Sequence, residues 1–243
     1  MDARLKALLW IVAIVALVLL VSRIGEPTRE VLLSFDVEPV DSPESIDFVT
    51  STLDQYHANA TFFVTGDYAE QHPNVVRNLA AKYEVACHTM THPHLPEIND
   101  SALEWELTAC KALLENLTNA SVLGFRAPYN LIDERTFLLL KRLNYTYDAS
   151  VFENLGWFYP RPNMTEIATS SLWLIPLEDY PLVDVAHLGD FGYFLMRQDR
   201  DEREAFDLHP NIVYAHRGAF QYLVSSYADD DVAFLTYGQA SGE

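Results

Sequence analysis

Two kinds of hydrophobic pattern alternate along most of this chain. Short apolar runs, such as residues 31–35 and 60–64, end at polar residues, as the strands of a covered sheet do. Other segments place apolar residues three and four positions apart, which is typical of amphipathic helices, and residues 100–117 show this most strongly. Apolar strands that alternate with helices predict a parallel sheet covered by helices, either closed into a barrel or open.

The same patterns give the bounds of the other predicted elements. Further strands are predicted at residues 84–87, 121–125, 145–151, 172–177, 211–215 and 232–236. One helix is predicted to begin at Pro43 with Ser42 as its N-cap, and another follows Asp67, which would form a capping box with Glu70. The remaining helices are predicted at residues 100–117 and 133–143. A site is expected at the carboxyl ends of the parallel strands.

The first residues differ from the rest of the chain. Residues 7–21 are uninterrupted apolar, with Arg4 and Lys6 before them and Arg23 after them. A bilayer core about 30 Å thick needs roughly 20 helical residues, so a span is expected here. A cleaved signal peptide is the alternative, but the run does not end in a small-residue cleavage site. We therefore predict a single-pass protein of the cell membrane, with a signal anchor at residues 1–23, a linker at 24–30 and an extracytoplasmic domain at 31–243.

Asparagine usage independently indicates export. Six asparagines open an N-x-[ST] sequon, against about 1.2 expected by chance from 11 Asn and 27 Ser and Thr. They are Asn59, Asn99, Asn116, Asn119, Asn144 and Asn163. The excess predicts an exported glycoprotein. Asn59 and Asn144 adjoin predicted strands, where access to them would be restricted.

The net charge of the chain bears on its possible partners, and its cysteine content bears on possible disulfide bonds. The formal net charge is −19, and such a surface repels phosphate backbones, which excludes nucleic acid as a partner. The chain has two cysteines, Cys87 and Cys110, which do not define a disulfide framework at this length. Cys87 lies next to His88 on a predicted strand and should face away from it. We favour two small buried thiols.

Polar residues that would be costly in a core follow several of the predicted strands. They are Asp36, Glu38, His88, His92, Arg126, Asp148 and His216. If the strands are parallel neighbours, these side chains converge at one rim. A carboxylate with two imidazoles forms a normal open site for Zn²⁺ or a similar divalent ion. Asp36 and Glu38 lie two positions apart on an extended chain, so they can point to the same side.

Four segments together resemble a known family. SFDVE (34–38), HTMTHPHL (88–95), RAPY (126–129) and IVYAH (212–216) are similar, in order, to signature motifs of the polysaccharide deacetylases, that is, carbohydrate esterase family four with its NodB-homology domain. The resemblance implies an α/β fold, a distorted (β/α) barrel, following the N-terminal transmembrane helix. It also implies a divalent metal ion, usually zinc, and hydrolytic removal of N-acetyl groups from an N-acetylated glycan, here at the cell surface.

The resemblance assigns a role to each matching residue. The implied metal ligands are Glu38, His88 and His92. The implied catalytic residues are Asp36 as general base, Arg126 to orient that base, His216 as general acid and Asp148 at the start of the fourth motif. The implied substrate-binding residues are His94 and Tyr129, the latter also through its backbone N–H in an oxyanion hole. Such a base, acid and metal suit an amide, which is a poor electrophile with a poor leaving group.

Three departures from the family pattern leave alternatives open. Many members carry a second Asp directly after the base, where this chain has Val37, so we assign the ligand role to Glu38. The fourth motif reads YDASVF, and the acid that would tune His216 is unidentified, with Asp179, Asp184 and Asp190 as candidates. His209 in DLHP is a rival for the acid role. We prefer His216 because the residues before it have a strand pattern, whereas Pro210 breaks the chain after His209.

Two other functions are compatible with the sequence. One is a hydrolase of the same fold that acts on a cyclic amide or imide, although the predicted export counts against a catabolic enzyme of cytoplasmic metabolites. The other is a catalytically silent glycan-binding module with a decayed site. The joint presence of the base, ligand and arginine candidates argues against decay, while Val37 and the altered fourth motif keep this alternative open.

Overall fold

The computed structural model describes residues 29–150, 173–174, 182–184, 203–228 and 231–241. The predicted signal anchor at residues 1–23, the sequon at Asn163 and the candidate acids Asp179 and Asp190 lie outside these residues. Within the described part of the chain, no helix has both the length and the apolar character needed to cross a membrane. The first strand begins at Arg29, so the last two residues of the predicted linker belong to the sheet.

Nine strands form one sheet in the part of the chain that the structure describes. They are β1 (Arg29–Val37), β2 (Thr61–Val64), β3 (Glu84–Cys87), β4 (Gly124–Phe125), β5 (Tyr147–Asp148), β6 (Trp173–Leu174), β7 (Leu182–Asp184), β8 (Arg203–Leu208) and β9 (Val232–Leu235). Their order is β6-β5-β4-β3-β2-β1-β8-β7, with β9 also paired to β1. Every pairing is parallel, so the carboxyl ends of the strands lie at one rim. The predicted α/β class is confirmed.

Eight helices connect or flank these strands in the described residues. They are α1 (Pro43–Tyr56), α2 (Gly66–Gln71), α3 (Pro73–Ala80), α4 (Asp100–Thr118), α5 (Glu134–Arg142), α6 (Pro210–Ala215), α7 (Arg217–Ser226) and α8 (Tyr237–Ala240). The predicted cap of α1 is confirmed, since the Ser42 side chain accepts a hydrogen bond from the Ser45 N–H. The predicted capping box at Asp67 is wrong. Thr65, still in the extended conformation at the end of β2, caps α2 instead.

The alternation of side chains along β1 decides which residues enter the interior of the curled sheet. Val31, Leu33 and Phe35 belong to the large hydrophobic cluster. Leu32 belongs to a second, smaller cluster. Because successive side chains on a strand point to opposite faces, Asp36 lies on the same face as Leu32. This face carries the buried polar groups of the site.

One predicted strand is wrong, and a real strand was missed. Residues 210–215 form helix α6, because Pro210 has a fixed φ and no N–H and therefore suits the first turn of a helix. The strand in this region is β8, whose sequence REAFDL contains charged residues and does not have an apolar strand pattern. Its charged residue Asp207 is buried beside a cation. That compensation is tertiary, so the sequence pattern alone hides the strand.

The prediction of two free thiols is also wrong. Cys87 at the end of β3 and Cys110 on α4 form a disulfide, with their Cα atoms 6.2 Å apart. Cys87 lies in the cluster between the sheet and the helices, as its expected orientation away from His88 requires. The pairing depends on the packing of α4 against β3, which two cysteine positions in a sequence do not define.

Candidate active site

Three side chains that were predicted to hold a metal ion meet at the carboxyl rim of the sheet. Glu38 directly follows β1, and His88 and His92 follow β3. The Oε1 atom of Glu38 lies 3.0 Å from Nε2 of His92 and 4.0 Å from Nε2 of His88. One ligand atom from each residue lies within 4.8 Å of the other two, close enough for all three to bind one cation.

The protonation states of this cluster suit a metal site. Burial lowers the pKa of His88, which favours its neutral imidazole. Its Nδ1 lies 2.8 Å from the carbonyl oxygen of Arg126, and because a carbonyl only accepts, Nδ1 carries the hydrogen and Nε2 keeps its lone pair. Burial alone would raise the pKa of Glu38, but His92 and His88 outweigh it and lower the pKa below its ordinary value. A carboxylate and a neutral imidazole are therefore available as ligands.

The loop between the two histidines has a strained backbone. Thr89 and His92 adopt left-handed φ values of 66° and 63°, which cost a non-glycine residue of order 1–3 kcal/mol each. The Thr89 hydroxyl accepts a hydrogen bond from the His92 N–H at 3.1 Å. This tight turn brings the two imidazole rings to a centroid distance of 5.0 Å. The surrounding structure must stabilise the loop, because the ligand geometry depends on it.

Asp36 lies beside the ligand cluster and is almost fully buried. Its Oδ2 lies 3.7 Å from Nε2 of His88, and its Oδ1 accepts a hydrogen bond from Nη1 of Arg126 at 2.8 Å. Burial alone would raise the pKa of Asp36, but the Arg126 guanidinium and the imidazoles of His88 and His209 hold it below its ordinary value. One oxygen of this carboxylate is thus oriented by Arg126 and the other faces the cluster.

Arg126 forms the centre of a hydrogen-bond network inside the curled sheet. It is fully buried and donates to five groups: Ser34 Oγ, Asp36 Oδ1, Asp207 Oδ1, the Tyr237 hydroxyl and the Ala149 carbonyl. Its guanidinium also lies 4.2 Å from the centroid of the Phe63 ring. Burial alone would lower the pKa of Arg126, but Asp207 and Asp36 raise it, so the group is a permanent cation. The predicted contact between Arg126 and Asp36 is present.

His209, and not His216, stands at the end of a strand facing this cluster. His209 follows β8, and its Nε2 lies 3.7 Å from Oε1 of Glu38. His216 lies at the junction of α6 and α7, where its carbonyl accepts from the Ala219 and Phe220 N–H groups. The strand pattern that favoured His216 is in fact a helix. His209, the rival candidate for the acid role, therefore lies beside the ligand cluster.

The electrostatic surroundings of His209 favour its protonated form. Burial alone would lower the pKa of His209, but the carboxylates of Asp36, Asp207, Glu38 and Asp41 raise it above its ordinary value. In the described part of the chain, its buried Nδ1 has no hydrogen-bond partner. A protonated imidazole in this position can donate a proton into the site.

The family model for polysaccharide deacetylases matches residues 24–147, which is about half of the chain. The chain belongs to the polysaccharide deacetylase family. The matched region contains Asp36, the three candidate ligands and Arg126, whereas His209 lies beyond its end. The predicted family is confirmed.

Curated relatives agree with this membership, and a solved structure has the same fold. A chitooligosaccharide deacetylase of Sinorhizobium fredii is 39% identical over 115 residues, which cover 46% of this chain and 52% of that protein. A peptidoglycan-N-acetylglucosamine deacetylase of Bacillus cereus is 28% identical over 132 residues, covering 53% and 46% of the two chains. The alignments thus span about half the length of these curated relatives. The structure of peptidoglycan deacetylase PdaC from Bacillus subtilis has the same fold, with a TM-score of 0.62, 19% identity and coverage of 87% and 89%.

The two predicted substrate-binding residues of this family member lie next to the ligand cluster. The Tyr129 ring is 4.8 Å from the ring of His92 and 4.2 Å from that of His94. Tyr129 is 54% exposed although it is large and apolar, and its φ of 57° lies in the left-handed region. An exposed aromatic surface beside these candidate metal ligands could contact a sugar ring.

Asp148 is linked through Ser150 to the RAPY segment beside the candidate site. It is buried on β5, and its Oδ1 accepts from the Ser150 N–H at 3.0 Å and from the Ser150 hydroxyl. Ser150 in turn accepts from the Ala127 N–H at 2.7 Å, within the RAPY segment. Burial raises the pKa of Asp148 to about 7. The structure therefore links Asp148 to the loop that carries Tyr129, while its predicted catalytic role stays a prediction.

Sequence reasoning missed two acids that organise the site. Asp207 is buried on β8 and accepts from Nη1 of Arg126 at 2.8 Å. Asp41 accepts from the N–H groups of Glu38 and Asn211, both at 2.8 Å, and so ties the end of β1 to the start of α6. Burial raises the pKa of Asp41 to about 6. The available signal was the spacing: Asp207 stands two positions before His209, and on an extended chain two such side chains point to the same side.

Proposed function

We propose that this chain is a zinc-dependent N-deacetylase acting on an N-acetylated amino-sugar glycan. The observation that carries the proposal is the joint position of Glu38, His88 and His92 within 4.8 Å of one another, with Asp36 and His209 beside them. The family membership supports the class of reaction. The names of the relatives, which act on chitooligosaccharides and on peptidoglycan, support the class of substrate.

The donor set fits a zinc ion. One carboxylate and two imidazoles leave coordination positions open for water and substrate, as in other catalytic zinc sites. Glu38, His88 and His92 would hold the ion, and the hydrogen bond from His88 Nδ1 to the Arg126 carbonyl would orient one ligand. When bound, zinc would polarise the amide carbonyl and make a water molecule more acidic.

Asp36 is proposed to act as the general base. Its Oδ2 faces the ligand cluster, where the attacking water must lie, and its low pKa keeps it ionised. Arg126 holds the other oxygen of the carboxylate at 2.8 Å, which fixes the direction of the free oxygen. A base held in this way can take the proton of the attacking water without reorganising.

His209 is proposed to act as the general acid. The leaving amine of an amide must be protonated before the C–N bond breaks. The surrounding carboxylates raise the pKa of His209 and so favour its protonated form, and its Nε2 lies 3.7 Å from Oε1 of Glu38. Asp36 lies on β1, and His209 directly follows the neighbouring strand β8.

Release of acetate is the decisive measurement for this proposal. We expect the full chain with zinc to release acetate from N-acetylglucosamine oligomers or from peptidoglycan, to lose this activity after chelation, and to regain it when zinc is returned. Glu38→Ala and His88→Ala should both weaken zinc binding. Zinc binding without acetate release from any N-acetylated glycan would indicate a silent binding module, and hydrolysis of cyclic amides alone would indicate the other hydrolase. Retained zinc in both variants would refute the ligand set.

Replacing each of the two candidate histidines in turn tests whether His209 or His216 is the general acid. We expect His209→Gln to lower kcat by about 10²- to 10⁴-fold, the usual contribution of a general acid. His216→Gln should leave kcat near the wild-type value, because helix α6 separates His216 from the end of β8 and its side chain makes no capping hydrogen bond. Kinetics on one N-acetylated oligomer decides between them. A large loss of kcat in His216→Gln with normal His209→Gln would reverse the assignment.

We further propose that the chain is an exported glycoprotein anchored in the cell membrane. The support is the excess of sequons and the apolar run at residues 7–21. All five sequon asparagines in the described residues are exposed, including Asn59 and Asn144, whose access was expected to be restricted. Glycopeptide mass spectrometry on protein from the membrane fraction of its own host tests this. Unmodified asparagines and a soluble cytoplasmic fraction would contradict it.

A further inference from the structure

Glu106 is an acid in the middle of an apolar helix face. It lies on α4 among Leu103, Leu107 and Cys110, and it is only 4% exposed. Burying a carboxylate costs several kcal/mol unless it is fully hydrogen-bonded. Neither the base, the acid nor the ligand set of the proposed reaction uses this residue. Its burial therefore needs a different explanation.

All the hydrogen bonds that the structure gives to Glu106 come from the loop between the two histidine ligands. Its Oε2 accepts from the backbone N–H groups of Met90 and Thr91, both at 2.8 Å. Its Oε1 accepts from the Thr91 hydroxyl at 2.5 Å. One carboxylate thus holds three donors of a five-residue segment that begins at His88 and ends at His92.

Two backbone hydrogen bonds from α2 also hold this loop, and a disulfide holds α4. The carbonyls of Thr89 and Met90 accept from the Gly66 and Asp67 N–H groups at 3.0 and 2.9 Å. On α4, the residue one turn after Glu106 is Cys110, which forms the disulfide with Cys87 beside His88. The helix that carries Glu106 is therefore covalently fixed to the strand that presents the ligands.

We propose that Glu106 is a positioning residue that fixes the separation of His88 and His92 for metal binding. The left-handed turns at Thr89 and His92 are costly, and three hydrogen bonds to one buried carboxylate offset that cost. Without them, the loop relaxes and the two imidazoles no longer face Glu38 together. Glu106 touches neither substrate nor metal and acts only through the loop. The inference rests on the proposed metal site.

Zinc affinity of the full chain tests this role, with zinc alone as the probe. We expect Glu106→Gln, which keeps the shape but replaces charge-assisted hydrogen bonds by weaker neutral ones, to weaken zinc binding about 10- to 100-fold, as loss of an outer-shell partner does. Glu104→Gln is the matched control, because this acid on the same helix is exposed and pairs at 2.8 Å with Arg142, which is exposed as well. The control should keep wild-type affinity. Affinity is measured by chelator competition, with circular dichroism of the metal-free protein as the check on folding.

A second variant keeps the test decisive if Glu106→Gln does not fold. Thr91→Val removes only the hydroxyl bond and leaves both backbone bonds to the carboxylate, and we expect a smaller but clear loss of zinc affinity. Unchanged affinity in a folded Glu106→Gln, or in Thr91→Val when the first variant does not fold, would refute the role of Glu106. Absence of zinc binding by the wild-type chain would instead refute the proposed metal site itself, so the two failures are distinguishable.

Discussion

Replacing Asp36 by Asn should lower kcat for acetate release by about 10²- to 10⁴-fold while the protein keeps its zinc. The amide has the shape of the carboxylate and can still accept from Nη1 of Arg126, so the interior should remain folded. It cannot take a proton from water, because an amide is not a base at neutral pH. The loss should therefore appear in kcat, with zinc affinity close to that of the wild-type chain.

The control for this prediction is a substitution of the neighbouring candidate metal ligand, Glu38. Glu38→Gln removes the carboxylate at the position that contacts His92 at 3.0 Å, so zinc affinity should fall together with kcat. Steady-state kinetics and zinc competition on both variants separate a base from a ligand. Loss of zinc in Asp36→Asn would make Asp36 a ligand, and an unchanged kcat would remove it from the mechanism.

Replacing Arg126 by Met should strongly destabilise the folded protein. The substitution leaves Asp36 and Asp207 buried without their cation, and breaking a buried ion pair from one side costs about 3–5 kcal/mol. Urea unfolding of the metal-free protein gives this free energy directly. Arg142→Met is the matched control, since Arg142 is exposed and pairs with Glu104, and such surface pairs contribute about 0–1 kcal/mol. Equal stability of the two variants would contradict a structural role for Arg126.

The destabilisation of Arg126→Met should increase with pH. In the wild-type chain burial opposes ionisation of Asp36, but Arg126 and His88 outweigh it and lower the pKa. The stability gained from this shift is present above the unfolded pKa of about 3.9 and is lost as pH falls through the lower folded pKa. In the variant, burial without the cation raises the pKa of Asp36, so the folded state loses stability as pH rises. The difference between the two proteins should be larger at pH 8 than at pH 5, and the reverse order would contradict the network.

Most of the sheet could be predicted because local patterns and tertiary packing agree there. The strand at residues 84–87 has the predicted bounds, and the Ser42 cap and the long amphipathic helix are where the sequence places them. Two-residue spacing on an extended chain was enough to put Asp36 and Glu38 on one side. The capping box at Asp67 failed because Thr65, two residues earlier in the chain, already supplies the cap.

The sequence by itself determined the family, the sheet class and the candidate residues Asp36, Glu38, His88, His92 and Arg126. The family followed from the resemblance of four motifs to those of polysaccharide deacetylases. The sheet class and the meeting of these residues at one rim followed from local alternation and strand direction, because the residues stand at the ends of apolar strands. Only the tertiary structure decided which histidine joins them, whether the two cysteines pair and which acids stabilise the site. His209 follows a strand whose charged residue Asp207 is compensated by Arg126, 81 positions away in the chain. Glu106 is likewise compensated by a loop on another element. A buried charge is stable only with its partner, and partners that are distant in the sequence leave no local pattern.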